Sequence, residues 1–243
     1  MASTGAVKLD LENSSQQVLP DRRRRWEDLA LVILLGFLPL VISGIYLLFV
    51  HVEAPSASAN YRYSTGLVRE LCILLLFAVL FRRQGRRLSD IGLSFHWLDI
   101  LRGVGLTVLA WISYPLVWRF INLVYFWSGL QPHYRDPEKI FGSGYFVLVL
   151  AYSISAPFFE EILVRGYLMT ELIGLSWPVW LAILTSVALQ TSYQLYYGVA
   201  GAMVAGSTFL ISAIYFAKTR KLTPVVLSHL FWNLATTYPH WHH

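Results

Sequence analysis

The chain has 243 residues, 56% of them hydrophobic and 14% charged, and carries a formal net charge of +5. That is too little charged surface to cover a soluble globule of this size, so composition excludes the soluble class and selects a lipid-embedded one. A basic pI of 9.3 would fit a nucleic-acid partner, but no basic, aromatic-interleaved soluble segment is present, so none is expected; basic flanks of membrane helices explain the charge.

The first residues are polar and end in Arg22, Arg23, Arg24 and Arg25. Residues 1–25 read as a disordered cytoplasmic tail, and residues 26–243 as one transmembrane helical domain. A crossing takes roughly 20 apolar residues to traverse about 30 Å of hydrocarbon. The candidates are residues 29–50, 65–81, 104–127, 143–164, 177–195, 199–217 and 223–238. The expected fold is therefore an all-α polytopic transmembrane helix bundle of about seven to eight spans. The run at 29–50 is too long for a signal-peptide core and reads as a retained span. Nine Trp and fourteen Tyr suit rings settling at the headgroup level.

Basic residues in short loops set the orientation. Arg22 to Arg25 place the N-terminus in the cytoplasm. Arg82, Arg83, Arg86 and Arg87 return to that side two spans later, as do Lys218, Arg220 and Lys221 after the sixth run. The stretch from Leu88 to Trp97 reads as an interfacial segment with Ser89 or Asp90 at its N-cap, or as a plain connector. Cys72, the single cysteine, offers neither an intramolecular disulfide nor a thiolate cluster.

An ionisable group inside a span costs about 2.5–3.5 kcal/mol even on insertion scales, so each one is a site hypothesis. The fourth run holds two acids in Ser155-Ala-Pro-Phe-Phe-Glu160-Glu161-Ile-Leu-Val-Arg165-Gly166-Tyr167. On a helix Glu161 and Arg165 share a face, while Glu160 points about 100° away. Glu161 is thereby placed for neutralisation and Glu160 is left as a base. A purely structural Glu–Arg pair is the competing reading, and it leaves Glu160 unexplained. In the last run His229 and Asn233 also share a face, as helix-packing residues or as two donors for an oxyanion. The fifth run carries Ser186, Gln190 and Gln194 at four-residue steps and then Tyr197, a packing seam or a wall of a polar cavity. Glu70 and Arg119 are expected to pair across two spans, and Pro115 to kink the third.

Glu160-Glu161-xxx-Arg165, a polar fifth span and His229-xxx-Asn233 together resemble the CAAX protease and bacteriocin-processing family of intramembrane proteases, over about residues 88–238. The resemblance implies that Glu160 activates water, Glu161 and Arg165 fix the helix, and His229 with Asn233 stabilises the oxyanion. It also implies substrates that are prenylated or otherwise membrane-associated peptides or proteins. The family places a His where this chain has Gln194. Glutamine orients water through its amide but has no titratable proton and ligates metal poorly. No other His stands in that frame: His51, His96 and His133 are in loops, and His240, His242 and His243 are terminal.

A slowed enzyme, a pseudoprotease that binds without cutting, and an inactivated variant all fit that departure. No cofactor is firmly implied. A divalent metal such as zinc would have Glu160 and His229 as its ligands, with Glu161 taken from Arg165 to complete the set. The rival functions are an inactive membrane scaffold and a small transporter with a Glu/His relay, the latter disfavoured by the lack of inverted repeats. Membrane lipids are the remaining partners, and a bacterial plasma membrane is the expected location.

Overall fold

The computed structural model describes residues 22–50, 59–132, 134, 142 and 144–237. Among these every regular element is a helix. They are α1 (Arg22–Phe49), α2 (Ala59–Arg83), a 3-10 turn (Leu88–Ile91), α3 (Leu98–Ser128), α4 (Phe146–Glu160), a π segment (Glu161–Met169), α5 (Thr170–Gly174), α6 (Val179–Tyr193), a 3-10 turn (Gln194–Tyr197), α7 (Gly198–Thr219) and α8 (Thr223–Thr237).

Helices occupy each of the predicted apolar runs. Among the described residues, five helical stretches are long and apolar enough to cross a membrane: Arg22–Phe49, Ala59–Arg83, Leu98–Ser128, Phe146–Gly174 and Val179–Thr219. The last is 41 residues, and α6 and α7 within it pack side by side, so it doubles back at the Gln194–Tyr197 turn. Gly198 makes that reversal with φ +81°, a conformation that costs a side-chain-bearing residue dearly. Helix α8 has 15 residues and so reaches about 22 Å, short of a full crossing. The chain is an integral membrane protein with an inverted dress: Leu34, Leu75, Phe120 and Phe126 are exposed where lipid would meet them.

The core lies around the π segment, whose nine residues are all buried. Helix α4 leads into it, flanked by α2 and α8, while α1 lies against α6 and the following turn, and α3 backs α7 and α8. Close approach of α1 depends on Gly44: a Cβ there would stand 2.7 Å from the Tyr193 carbonyl oxygen. Pro157, inside α4, cannot donate to the carbonyl of Ser153 one turn back. The Asn233 amide of α8 donates to that freed carbonyl instead, at 3.3 Å. One proline thus ties the helix that carries the acids to the helix that carries His229.

The basic clusters meet at one end of the bundle. Glu171, 1% exposed, accepts Arg25 Nε at 2.8 Å and also pairs with Arg86, while Arg220 donates to Thr170 at 2.9 Å. Arg22 to Arg25, expected to belong to a disordered tail, are instead the first turn of α1, held there by Glu171 and by an Arg22 bond to the Leu175 carbonyl. Residues 1–21 lie outside the described residues. Replacing Glu171 by alanine strands two guanidiniums and is expected to cost about 3–5 kcal/mol, the range for breaking a buried charge pair. Thermal unfolding in detergent reads this directly, and an unchanged midpoint would show the clasp to be idle.

Within the Leu88–Trp97 stretch, Leu88–Ile91 form a 3-10 turn that neither Ser89 nor Asp90 caps. Its N-cap is Arg87, whose N–H donates to Asp90 Oδ2 at 2.8 Å. It is pinned to the start of α8 by bonds from Leu222 N–H to the Gly92 carbonyl and from Thr223 to the Ser94 carbonyl.

Candidate active site

Glu160 closes α4 and Glu161 opens the π segment, so the two acids leave the helix in different directions, as consecutive helical residues do. Glu161 is buried and faces two basic side chains. Arg165 NH1 stands 3.3 Å from Oε2, and His229 Nδ1 lies 2.8 Å from Oε1. Arg165 is wholly buried; its NH2 donates to the Phe209 carbonyl at 3.1 Å, and its guanidinium lies over the Phe209 ring. This group therefore clamps α7 and α8 onto the π segment. With Nδ1 committed to Glu161, Nε2 is the nitrogen of His229 left for other work.

The free base expected of Glu160 is instead a held one. The Tyr193 hydroxyl donates to its Oε2, and Gln190 Nε2 donates to the same atom at 3.1 Å. Both donors come from one face of α6, three residues apart, and they leave Oε1 unengaged by either. Gln190 had been visible as part of a polar stripe, but its role as donor to Glu160 was not, and Tyr193 was missed altogether. Its spacing from Gln190 was the available signal. The stripe itself is inward-facing, since Ser186 and Gln190 are fully buried. Gln190 Oε1 and Gln194 Oε1 are buried without a hydrogen-bond partner among the described residues, acceptors that a buried polar site normally satisfies with water.

Helix α6 ends at Tyr193 and Gln194 begins the 3-10 turn. Exposure separates the residues into two groups. Glu160, Gln194, His229 and Asn233 are half-buried, whereas Glu161, Arg165, Gln190 and Tyr193 are buried behind them.

The expected Glu70–Arg119 pair does not form. Glu70 accepts from Ser155 on α4 and stands 3.9 Å from Arg69, while Arg119 is exposed. Helix α2 packs on α4 and α3 on α7 and α8, so the two residues never face each other. His96 is exposed, whereas His51, His133, His240, His242 and His243 lie outside the described residues.

The donor set does not fit a catalytic ion, which usually takes three protein ligands. Among the described residues no three His, Cys, Asp or Glu side chains gather to hold one. The pair Glu160 and His229 lacks a third member because Glu161 is turned to Arg165 and to His229 Nδ1.

Residues 142–235 match the family described as type II CAAX prenyl endopeptidase Rce1-like. That family is one of CAAX proteases, and the match is confined to residues 142–235 of the 243. The match covers Glu160, Glu161, Arg165, Gln194, His229 and Asn233, and lies inside the 88–238 core resembling that family. Proteins of the CAAX protease family are peptidases of membrane-associated prenylated proteins. No curated protein and no solved structure matches the chain.

Proposed function

We propose that the protein is an intramembrane endopeptidase in which Glu160 activates water against a peptide bond of a membrane-associated, prenylated or lipid-like substrate. The observation that carries the reading is the division of labour between adjacent acids. Glu161 is paired with Arg165 and bonded to His229, and among the described residues Glu160 is held by hydrogen bonds at one oxygen.

Water donates one hydrogen to Glu160 Oε1 and the other to the Gln194 amide oxygen, leaving a lone pair aimed at the substrate carbonyl. As the water oxygen bonds to the carbonyl carbon, Glu160 takes its proton and the carbonyl oxygen becomes an oxyanion. A protonated His229 donates to it from Nε2, its cationic ring steadied by the Glu161 carboxylate at Nδ1. Asn233 donates the amide N–H not engaged with the Ser153 carbonyl. Collapse breaks the carbon–nitrogen bond, and Glu160 returns the proton to the departing amine. Gln194 supplies an acceptor but no proton exchange, which makes the enzyme slower than a relative with imidazole there.

The substitution at Gln194 also supports a second reading, a pseudoprotease that holds substrate without cutting it. The basic end of the bundle, gathered on Glu171 and Thr170, faces the cytoplasm in this proposal, with the N-terminus on that side of a bacterial plasma membrane.

Purified protein in detergent, incubated with a prenylated peptide in ¹⁸O-water, is expected to yield two fragments with the label in the new carboxyl group. Intact peptide that still binds the protein would move the assignment to the pseudoprotease.

A further inference from the structure

At the basic end of the bundle, the start of α1 and the turn from α5 to α6 enclose a cavity of about 240 Å³, lined by Arg22, Arg25, Gly174, Leu175 and Ser176. None of these residues is acidic. The carboxylate behind them, Glu171, is buried and has both oxygens occupied, Oε2 by Arg25 and Oε1 by Arg86. Three arginines thus gather around a single acid. The acids of the first turns of α1 are engaged elsewhere, Glu27 with Arg23 at 2.8 Å and Asp28 with Gln84 at 2.6 Å. Among the described residues Arg22 forms no ion pair; its Nη2 donates to the Leu175 carbonyl at 3.2 Å, which holds the guanidinium at the cavity wall. Arg25 reaches the cavity over a bare glycine, since a Cβ on Gly174 would stand 2.5 Å from Arg25 Nη2. Ser176, exposed, completes the lining at φ +72°, a left-handed conformation that a residue with a side chain adopts at a cost. The excess of positive charge on a concave surface calls for an anion.

We infer that this cavity binds the phosphate of an anionic phospholipid headgroup. A guanidinium presents paired N–H groups matched to phosphate oxygens, and two of them line the cavity. Its level selects a lipid. Arg22 precedes Leu29, where the apolar run begins, by about 10 Å along the helix axis. Between them lies Trp26, whose ring meets that of Trp177, the neighbour of Ser176, with centroids 5.9 Å apart; indoles settle at the headgroup level. Val179 and Trp180, exposed on the first turn of α6, give the acyl chain an apolar wall beside the cavity. A lipid bound here would tie α1 to the helical stretch that runs on from Glu160 to Gly174. Arg22 and Arg25 lie outside the matched residues 142–235, so half of the site is supplied by this chain's own first helix.

The test follows thermal unfolding and, by native mass spectrometry, retained lipid for the full chain in neutral detergent with phosphatidylglycerol, phosphatidylcholine or inorganic phosphate added. Phosphatidylglycerol is expected to raise the unfolding midpoint by several degrees and to be retained. Phosphatidylcholine and inorganic phosphate at the same phosphorus concentration should do neither. Arg22→Gln should weaken phosphatidylglycerol binding about tenfold to a hundredfold, the worth of a charge-assisted bond. Gly174→Leu fills the cavity and leaves every charge in place, so it should abolish the lipid effect. Arg83→Gln removes an exposed charge from the same end of the bundle and should preserve it. Equal loss of binding in Arg83→Gln and Arg22→Gln would show diffuse attraction to an anionic surface and overturn the site. Equal effects of the two lipids would overturn it as well, and inorganic phosphate acting as strongly as phosphatidylglycerol would replace the lipid with a free anion. Should Arg22→Gln fail to fold, undiminished stabilisation of Gly174→Leu by phosphatidylglycerol would still refute the inference. Neither readout depends on peptide cleavage, so the outcome stands apart from the peptidase reading.

Discussion

Replacing Glu160 by glutamine is expected to lower kcat by about a hundredfold to ten-thousandfold, the usual contribution of a positioned general base. The substitution keeps the shape of the side chain and an oxygen able to accept from Tyr193 and Gln190, so the fold should survive it. What disappears is the capacity to take a proton from water and return it to the leaving amine. Substrate affinity, measured with an uncleaved peptide, should change far less than turnover. The comparison that matters is with the neighbouring acid. Glu161→Gln removes the negative charge between Arg165 and His229 and leaves a buried cation poorly compensated, so it should lower thermal stability as well as rate. If Glu160→Gln retained wild-type turnover, or if both variants lost activity only through unfolding, Glu160 would not be the base.

Gln194→His is expected to raise kcat by about tenfold to a hundredfold, because an imidazole adds proton exchange to the water-orienting role that the amide already performs. The replacement is sterically reasonable, since Gln194 is half-buried at the start of a 3-10 turn rather than packed inside a helix. Gln194→Leu, which removes the acceptor and keeps the volume, should lower the rate below that of the wild type. Rates in detergent for the three proteins on one peptide decide the matter. Equal rates would show that residue 194 does not touch the water, and activity absent from all three with binding intact would favour the pseudoprotease.

The sequence analysis located the helices because hydrocarbon demands long apolar runs whose backbone groups are satisfied within each segment. The Glu161–Arg165 pair was equally legible, being set by spacing within one continuous helical stretch. Partners across helices were not. Glu70 was matched to Arg119 from their presumed depths alone, whereas depth is only one of three coordinates. The angular position of α2 beside α4 turns Glu70 to Ser155. In the same way the spacing gave no sign that His229 Nδ1 is bound to Glu161, which leaves the other ring nitrogen for an oxyanion. Tyr193 escaped notice because a tyrosine in an aromatic-rich membrane chain carries no signal of its own until α6 is laid against α4.

Composition and hydropathy, with no further help, made this a membrane-embedded all-helical protein, and the order of Glu160, Glu161, Arg165, His229 and Asn233 along the chain named its family resemblance. These properties are local or additive, so a linear reading captures them. Which oxygen of Glu160 is held and which carbonyl Asn233 fills behind Pro157 were decided by packing between helices. Those contacts join residues up to 80 positions apart, and the apolar faces that bring them together are chemically alike, leaving the choice of neighbour to shape.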